Sequence, residues 1–242
     1  MSAPVSNTPV AGSEDRAPAV RAMFNDIAPK YDTANRVLSL GMDQWWRRQA
    51  IKALGEARSG VVLDLCAGTL DLSRMLIDEG ATRVIAADFA EDMLSSGAYK
   101  FTDSDPIEIM CADARELPIE DNSVDGIICG FGLRNVPELH RALAECSRVL
   151  RPGGTIVVLD FFQPIGFFPR LLQGTYNKLI VPTVGGLITG FGDAYRYLNQ
   201  SIDAFSTADD FAKQLEGVGI QAQAHRMFPP VAHMIEGQLH HD

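Results

Sequence analysis

VVLDLCAGTLDLSRMLIDEG, residues 61–80, joins a short apolar run to a turn holding Gly68, then to an amphipathic segment that stops at Gly80. Strand, tight turn and helix in that order open an α/β unit. The rhythm repeats outward from it. RVIAAD (83–88) reads as a strand, AEDMLSSGAYK (90–100) as a helix, and IEIMCAD (107–113) and VDGIICG (124–130) as further strands. PELHRALAECSRVL (137–150) reads as a helix with Pro137 in its first turn, and TIVVLDF (155–161) as a fifth strand. Such alternation predicts a mainly parallel sheet covered on both faces, with ligands beyond the carboxyl ends of the strands, where Asp64, Asp88, Asp113 and Gly130 fall.

The flanks add a cover and a tail. Residues 1–19 read as a flexible N-terminal tail, and residues 20–242 as a single domain whose segment 20–56 is a helical cover. Within the cover, helices are expected over Val20–Ile27 and Asp43–Leu54. Residues 162–200, rich in aromatics, glycine and proline, interrupt the pattern as a substrate-side insertion too short to own a core. TADDFAKQLEGVGI (207–220) then predicts a helix capped by Thr207, and QAQAHRMF and VAHMIEG two antiparallel strands at the sheet edge.

A chain of 242 residues with 46% apolar content is long enough for one sizeable core. Its formal charge of −10 argues against nucleic acid or an anionic bilayer as the main partner. No stretch reaches the ~20 apolar residues of a membrane span. Cys66, Cys111, Cys129 and Cys146 lack metal-like spacing, the first three sitting in strand-like contexts where a reduced thiol fills core. No metal site is expected.

At residues 66–70 only Gly68 stands in the middle of a GxGxG pattern, which disfavours a pyrophosphate cradle and suits a nucleoside without phosphates. Thr69 or Asp71 is expected to cap the next helix. Asp88 is placed to accept both hydrogens of a ribose diol, and Asp113 with Ala114 to face an adenine edge; a helix cap and a turn aspartate are the plainer roles for these acids.

The sequence resembles the ubiquinone/menaquinone biosynthesis C-methyltransferases, class I S-adenosylmethionine-dependent enzymes, collinearly from about Phe24 to Ile235. The resemblance rests on FNDIAPKYDTANRVLSLGMDQWW, VLDLCAGTLDLS, CADARELPIEDNSVD followed by GFGLRNV, LAECSRVLRPGGTIVVLDF and DAYRYLNQSI. It implies a Rossmann-like, seven-stranded, mainly parallel α/β sheet, with S-adenosylmethionine as cofactor and S-adenosylhomocysteine as product. It also implies C-methylation of a reduced demethylated quinone ring, a demethylmenaquinol or ubiquinol precursor. Carried over residue by residue, Thr69, Asp88, Asp113, Ala114 and Gly130 bind the cofactor, beside Asp64 and Gly68 of the strand end and turn. Arg134, Asn135, Tyr31 and Asp32 serve catalysis, with Asn35 in the cover beside them. Tyr195, Tyr197, Phe167 and Phe168 hold the acceptor, and Phe162, Phe167, Phe168, Leu171 and Leu172 line the exit of its prenyl tail, core packing being the plainer role of these apolar side chains. The resemblance further implies a cytoplasmic enzyme peripheral to the inner membrane. A homodimer is one of the assemblies left open.

Arg134 cannot serve as a base, because it stays charged, but it can stabilise a phenolate; a salt bridge at the strand end is its plainer role. Capping is the plainer role of Asn135 and Asp32. Four departures stand out: Leu70 where the family has glycine, Asp43 where it has histidine, Gly130 where serine is common, and Asp160 where it has glutamate. They keep two other readings open. One is an S-adenosylmethionine-dependent enzyme acting on another small aromatic or polyketide, and the other a non-catalytic scaffold on the same fold.

Overall fold

The computed structural model describes residues 16–165 and 192–240. Seven strands form one sheet: β1 (Val61–Leu65), β2 (Arg83–Asp88), β3 (Ile107–Cys111), β4 (Val124–Gly130), β5 (Leu150–Asp160), β6 (Ile220–Arg226) and β7 (His233–Leu239), in the order β3-β2-β1-β4-β5-β7-β6. The first five are mutually parallel, and β7 pairs antiparallel with both β5 and β6. The reversed strand therefore lies one place inside the edge, and β6 forms the edge itself.

Successive residues of each central strand feed opposite cores, as the two-residue period of a strand requires. Leu63, Ile85, Ile127 and Val158 pack in a core with Leu143 and Cys146 of α6 (Leu139–Val149) and Phe211 and Leu215 of α8 (Ala208–Glu216). Val62, Val84, Ile128 and Val157 join Trp46, Ile51 and Leu76 on the other face, from α3 (Met42–Ala53) and α4 (Asp71–Asp78). Two apolar cores, one on each face, explain why the strands read as unbroken apolar runs.

The cover comprises α1 (Ala17–Ile27), α2 (Tyr31–Leu38) and α3. Its first helix starts inside the expected tail because Pro18, in the first turn, has no amide hydrogen to leave unsatisfied there. The strand-end helix starts at Leu139 rather than Pro137, because Glu138 adopts a left-handed backbone, φ +49°, that breaks the turn between them. Thr207 caps α8 as expected, its Oγ1 accepting the Asp210 amide at 3.2 Å. Cys129 and Cys146 are buried, but Cys111 is exposed because β3 is the other edge of the sheet. The remaining described helices are α5 (Glu91–Gly97) and α7 (Gly192–Ala204).

Candidate active site

The turn after β1 is backbone-strained in a way that shapes a cleft. Cys66, Gly68 and Leu70 all take positive φ, at +57°, +54° and +66°. The two non-glycine residues cost about 1–2 kcal/mol each in that region. The turn is held from outside: Ala67 N donates to Ala87 O at 3.1 Å, and Gly68 N to Asp88 Oδ2 at 2.9 Å. Gly97 of α5 allows the close approach, since a Cβ there would stand 2.1 Å from the Thr69 carbonyl oxygen.

A cleft runs across the strand ends, with Gly68, Asp88, Asp113, Ala114 and Gly130 all on its walls and Phe24 and Tyr31 of the cover above. Asp88 is buried, and burial pushes its carboxyl above the usual range even though the amides of Gly68 and Ala90 donate to it. Each of its oxygens keeps a lone pair for a ligand hydroxyl. Asp113 sits at the rim, held below the ordinary carboxylate range by its bonds to Arg115. Asp64 lies underneath rather than on the wall, fully buried. Ser73 Oγ donates to its Oδ2 at 2.6 Å, while its Oδ1 has no partner.

Leu70 does not crowd this cleft. Its side chain turns away into a small core with Ala86 and Leu94, fully buried. The family glycine would relieve the left-handed backbone but leave a leucine-sized void. Leu70→Gly is therefore expected to lose roughly 1–3 kcal/mol of stability, the cavity cost exceeding the relief. Calorimetric unfolding should show this, with binding of S-adenosylhomocysteine unchanged.

Thr69 and Asp32 line neither cavity of this site; they meet each other. The Thr69 hydroxyl donates to Asp32 Oδ1, and Lys100 Nζ donates to Asp32 Oδ2 at 2.8 Å, Asp71 Oδ1 at 2.5 Å and the Thr69 carbonyl at 2.7 Å. Arg36 Nη2 reaches Asp71 at 3.2 Å. Asp71 is thus committed to ion pairs rather than to a helix cap, and the first residue of α4 is preceded by Leu70 with no side-chain cap. This clasp fastens α2 of the cover to the strained turn, a connection that isolated motifs in the sequence do not reveal.

Behind Phe131 a second, mostly apolar cavity of about 360 Å³ opens between the cover and α7. Tyr31, Asn35, Arg134, Asn135 and Tyr197 bring polar atoms to it. Asn135 lines both cavities, with Oδ1 buried and unpartnered and Nδ2 donating to Phe131 O at 3.4 Å. Arg134 does make the strand-end ion pair, Nη1 to Asp160 Oδ1 at 2.6 Å, with Asp160 fully buried. Its Nε has no partner. The Asp160 pair is the strand-end salt bridge that the sequence offers as the plainer role of Arg134, made to the aspartate that replaces the family's glutamate. Burial holds the Tyr31 hydroxyl above its ordinary value despite the nearby Arg134, so it remains a neutral donor.

Asp43 also borders the chamber; it accepts from Ser39 Oγ at 2.8 Å and lies 3.7 Å from Arg36 Nε. Phe162 is no tail exit: it is buried among Phe205 and Phe211, because β5 delivers it to the core face. Phe167, Phe168, Leu171 and Leu172 lie outside the described residues, as does the side chain of Tyr195.

A family model described as the ubiE/COQ5 methyltransferase family matches residues 11–231. The chain belongs to this family. The demethylmenaquinone methyltransferase of Clavibacter sepedonicus is 39% identical over 86% of this chain and 84% of its own. The ubiquinone/menaquinone biosynthesis C-methyltransferase UbiE of Geobacter sulfurreducens is 35% identical over 88% of this chain and 84% of its own. A solved S-adenosylmethionine-dependent methyltransferase from Mesorhizobium loti shares the fold, with TM-score 0.59, 17% identity and coverage of 80% of this chain and 97% of that one.

The protein is an S-adenosylmethionine-dependent methyltransferase, and S-adenosylhomocysteine is its product. The cleft suits that cofactor: the acid at the end of β2 retains free lone pairs, and the buried Asp64 of β1, beneath it, has a carboxylate oxygen without a partner. The enzyme's sheet carries the expected class I topology, with the helical cover on it.

Proposed function

We propose that this enzyme transfers a methyl group to a ring carbon of a reduced demethylated quinone, a demethylmenaquinol or ubiquinol precursor. The observation that carries the reading is the apolar chamber beside the cofactor cleft, with the Arg134 guanidinium buried in its wall and Asn135 bordering both spaces. The curated relatives that match along most of the chain carry quinone-biosynthetic names, which supports it. When bound, adenosylmethionine supplies an electrophilic methyl on a sulfonium. The chain's task is to make the acceptor carbon electron-rich and to exclude water.

Arg134 performs the first part. It stays charged, and its electrostatic pull favours the phenolate form of the acceptor, whose negative charge spreads into the ring. Asp160 fixes the guanidinium in place. Tyr31, a neutral phenol, donates a hydrogen bond to the acceptor oxygen, and Asn135 orients the ring toward the cleft. The apolar wall formed by Phe24, Trp46, Phe131 and Phe161 keeps water away. Tyr195, Phe167 and Phe168 remain proposed contacts of the acceptor.

At the chamber mouth Leu40 is 90% exposed and Phe228, beside the lining residue Pro229, is 74% exposed. This apolar rim fits a cytoplasmic enzyme that touches the inner membrane peripherally while drawing in a prenylated ring. Among the described residues no helix is long and apolar enough to cross a membrane. The test is an anaerobic assay with the same demethylated naphthoquinone offered reduced and oxidised. Only the quinol is expected to be methylated, because only it has the electron-rich ring. Equal turnover of a simple phenol and no preference for the quinol would overturn the reading.

A further inference from the structure

Helix α2 holds Tyr31 where the cofactor cleft meets the acceptor chamber, since that side chain lines both. The apolar anchoring of the helix is slight: of its eight residues only Ala34 is buried. The Tyr31 ring packs edge-on against Phe24, with centroids 6.1 Å apart, and against the small cluster of Ala28, Ala90 and Met93. Apolar contacts of this kind are non-directional and do not by themselves fix where a phenol oxygen points.

Direction comes from the next residue. Asp32 lines neither cavity; its Oδ1 accepts from the Thr69 hydroxyl and its Oδ2 from Lys100 Nζ at 2.8 Å. Lys100 lies just after α5, with its side chain only 12% exposed. Its three ammonium protons have three acceptors, since it also donates to Asp71 Oδ1 at 2.5 Å and to the Thr69 carbonyl at 2.7 Å. Burial opposes the ammonium, but Asp32 and Asp71 overcome it and hold the group above its ordinary value, so it is charged at neutral pH. Without that charge the Asp32 and Asp71 carboxylates would face each other and repel. Asp32 can therefore act on the reaction only through its neighbour, Tyr31.

We propose that Lys100 is a positioning residue for methyl transfer: through Asp32 it sets the pose of Tyr31 over the junction of cleft and chamber, so that the turn bounding the cofactor also places the phenol that meets the acceptor. The proposal rests on the function proposed above, in which Tyr31 donates to the acceptor oxygen. Lys100 itself lines neither the cleft nor the chamber. The cofactor turn does not depend on it, being held separately where Ala67 and Gly68 donate to Ala87 and Asp88. Nor does its loss free α2, because Arg36 of that helix still reaches Asp71 at 3.2 Å; the helix shifts instead.

The test is a double-mutant cycle between Lys100 and Tyr31 in the full-length protein, with kcat and KM measured on a reduced demethylated naphthoquinone and S-adenosylhomocysteine binding measured by calorimetry. Lys100→Met should lower kcat roughly 10- to 100-fold, the cost of displacing a working group by about 1 Å, and leave S-adenosylhomocysteine affinity within about 3-fold of wild type. Tyr31→Phe should lower kcat by a similar factor, roughly 10- to 100-fold, as it removes a hydrogen bond to developing charge. In the Tyr31→Phe background Lys100→Met should cost less than about 3-fold more, because no hydroxyl is left to aim. Lys100→Arg, which keeps the charge, should recover part of kcat. Asp32→Asn cuts the tether from its other end, since an amide offers one acceptor oxygen where two donors now meet, and it leaves no facing carboxylates to unfold the protein. Its cycle with Tyr31→Phe should show the same non-additivity. Independent, multiplying losses in either cycle, a loss of S-adenosylhomocysteine affinity as large as the loss of kcat, or a Lys100→Met variant as active as wild type would overturn the proposal. An unchanged kcat in Tyr31→Phe would overturn the role given to Tyr31, and this proposal with it, while leaving the quinol reading standing. No turnover of the quinol by wild-type protein that binds S-adenosylhomocysteine would overturn both.

Discussion

Replacing Arg134 with glutamine is expected to lower kcat by about 10²–10³-fold, the scale of removing one preorganised stabiliser of developing negative charge. The same change should destabilise the fold by roughly 3–5 kcal/mol, because the fully buried Asp160 loses its counter-ion. Burial already pushes Asp160 above the usual carboxylate range even with Arg134 beside it. Without Arg134 its folded value rises further above the unfolded one. The destabilisation should then be small below pH 4 and grow as the pH rises, since ionisation is what the folded state resists. Adding Asp160→Asn to Arg134→Gln separates the two effects. The double variant should regain most of the unfolding temperature, its buried charge being gone, and regain none of the turnover. Recovery of kcat together with stability would mean that Arg134 acts only as a strut.

Asp64 supplies the second large effect. Burial is the main cause that raises its carboxyl to about 7, the hydrogen bond from Ser73 and the charge of Arg47 only partly opposing it. Below the unfolded value near 4 both states are protonated and nothing is lost. Between that value and about 7 the folded state holds a proton that the unfolded state has released, so stability falls with rising pH and levels off above. The shift corresponds to roughly 4 kcal/mol. Asp64→Asn keeps an acceptor for Ser73 and cannot ionise. Relative to the wild type, the ligand-free variant should therefore gain unfolding temperature steadily between pH 4 and pH 8. Calorimetric scans across that range check it; a difference independent of pH would show that Asp64 is not a buried titrating acid.

The residues that made the fold legible are those of β1, β2 and β4, whose burial on both faces left unbroken apolar runs. Helix α2 left no such trace, because YDTANRVL buries only Ala34 and spends its polar residues on the clasp. The cleft was legible through Asp88, Asp113 and Gly130, since strand-end positions follow directly from strand boundaries. Thr69 was not, because Leu70 and its left-handed neighbours turn that hydroxyl toward Asp32. Lys100 and Arg47 escaped notice for one reason: a cation on an amphipathic segment reads as solvent-facing. Only the packing of the cover shows one pinned among carboxylates and the other buried without an anion. For Phe162 the structure takes the core alternative, since an aromatic at a sheet end reads equally well as ligand wall or core.

The measurement that bears most directly on the account is the position of the transferred methyl. The enzyme is incubated anaerobically with methyl-labelled S-adenosylmethionine and a reduced demethylated naphthoquinone, and the product is examined by NMR. Label is expected on a ring carbon, with one S-adenosylhomocysteine formed per methyl transferred. Label on oxygen, or no transfer to the quinol by protein that binds S-adenosylhomocysteine, would contradict it.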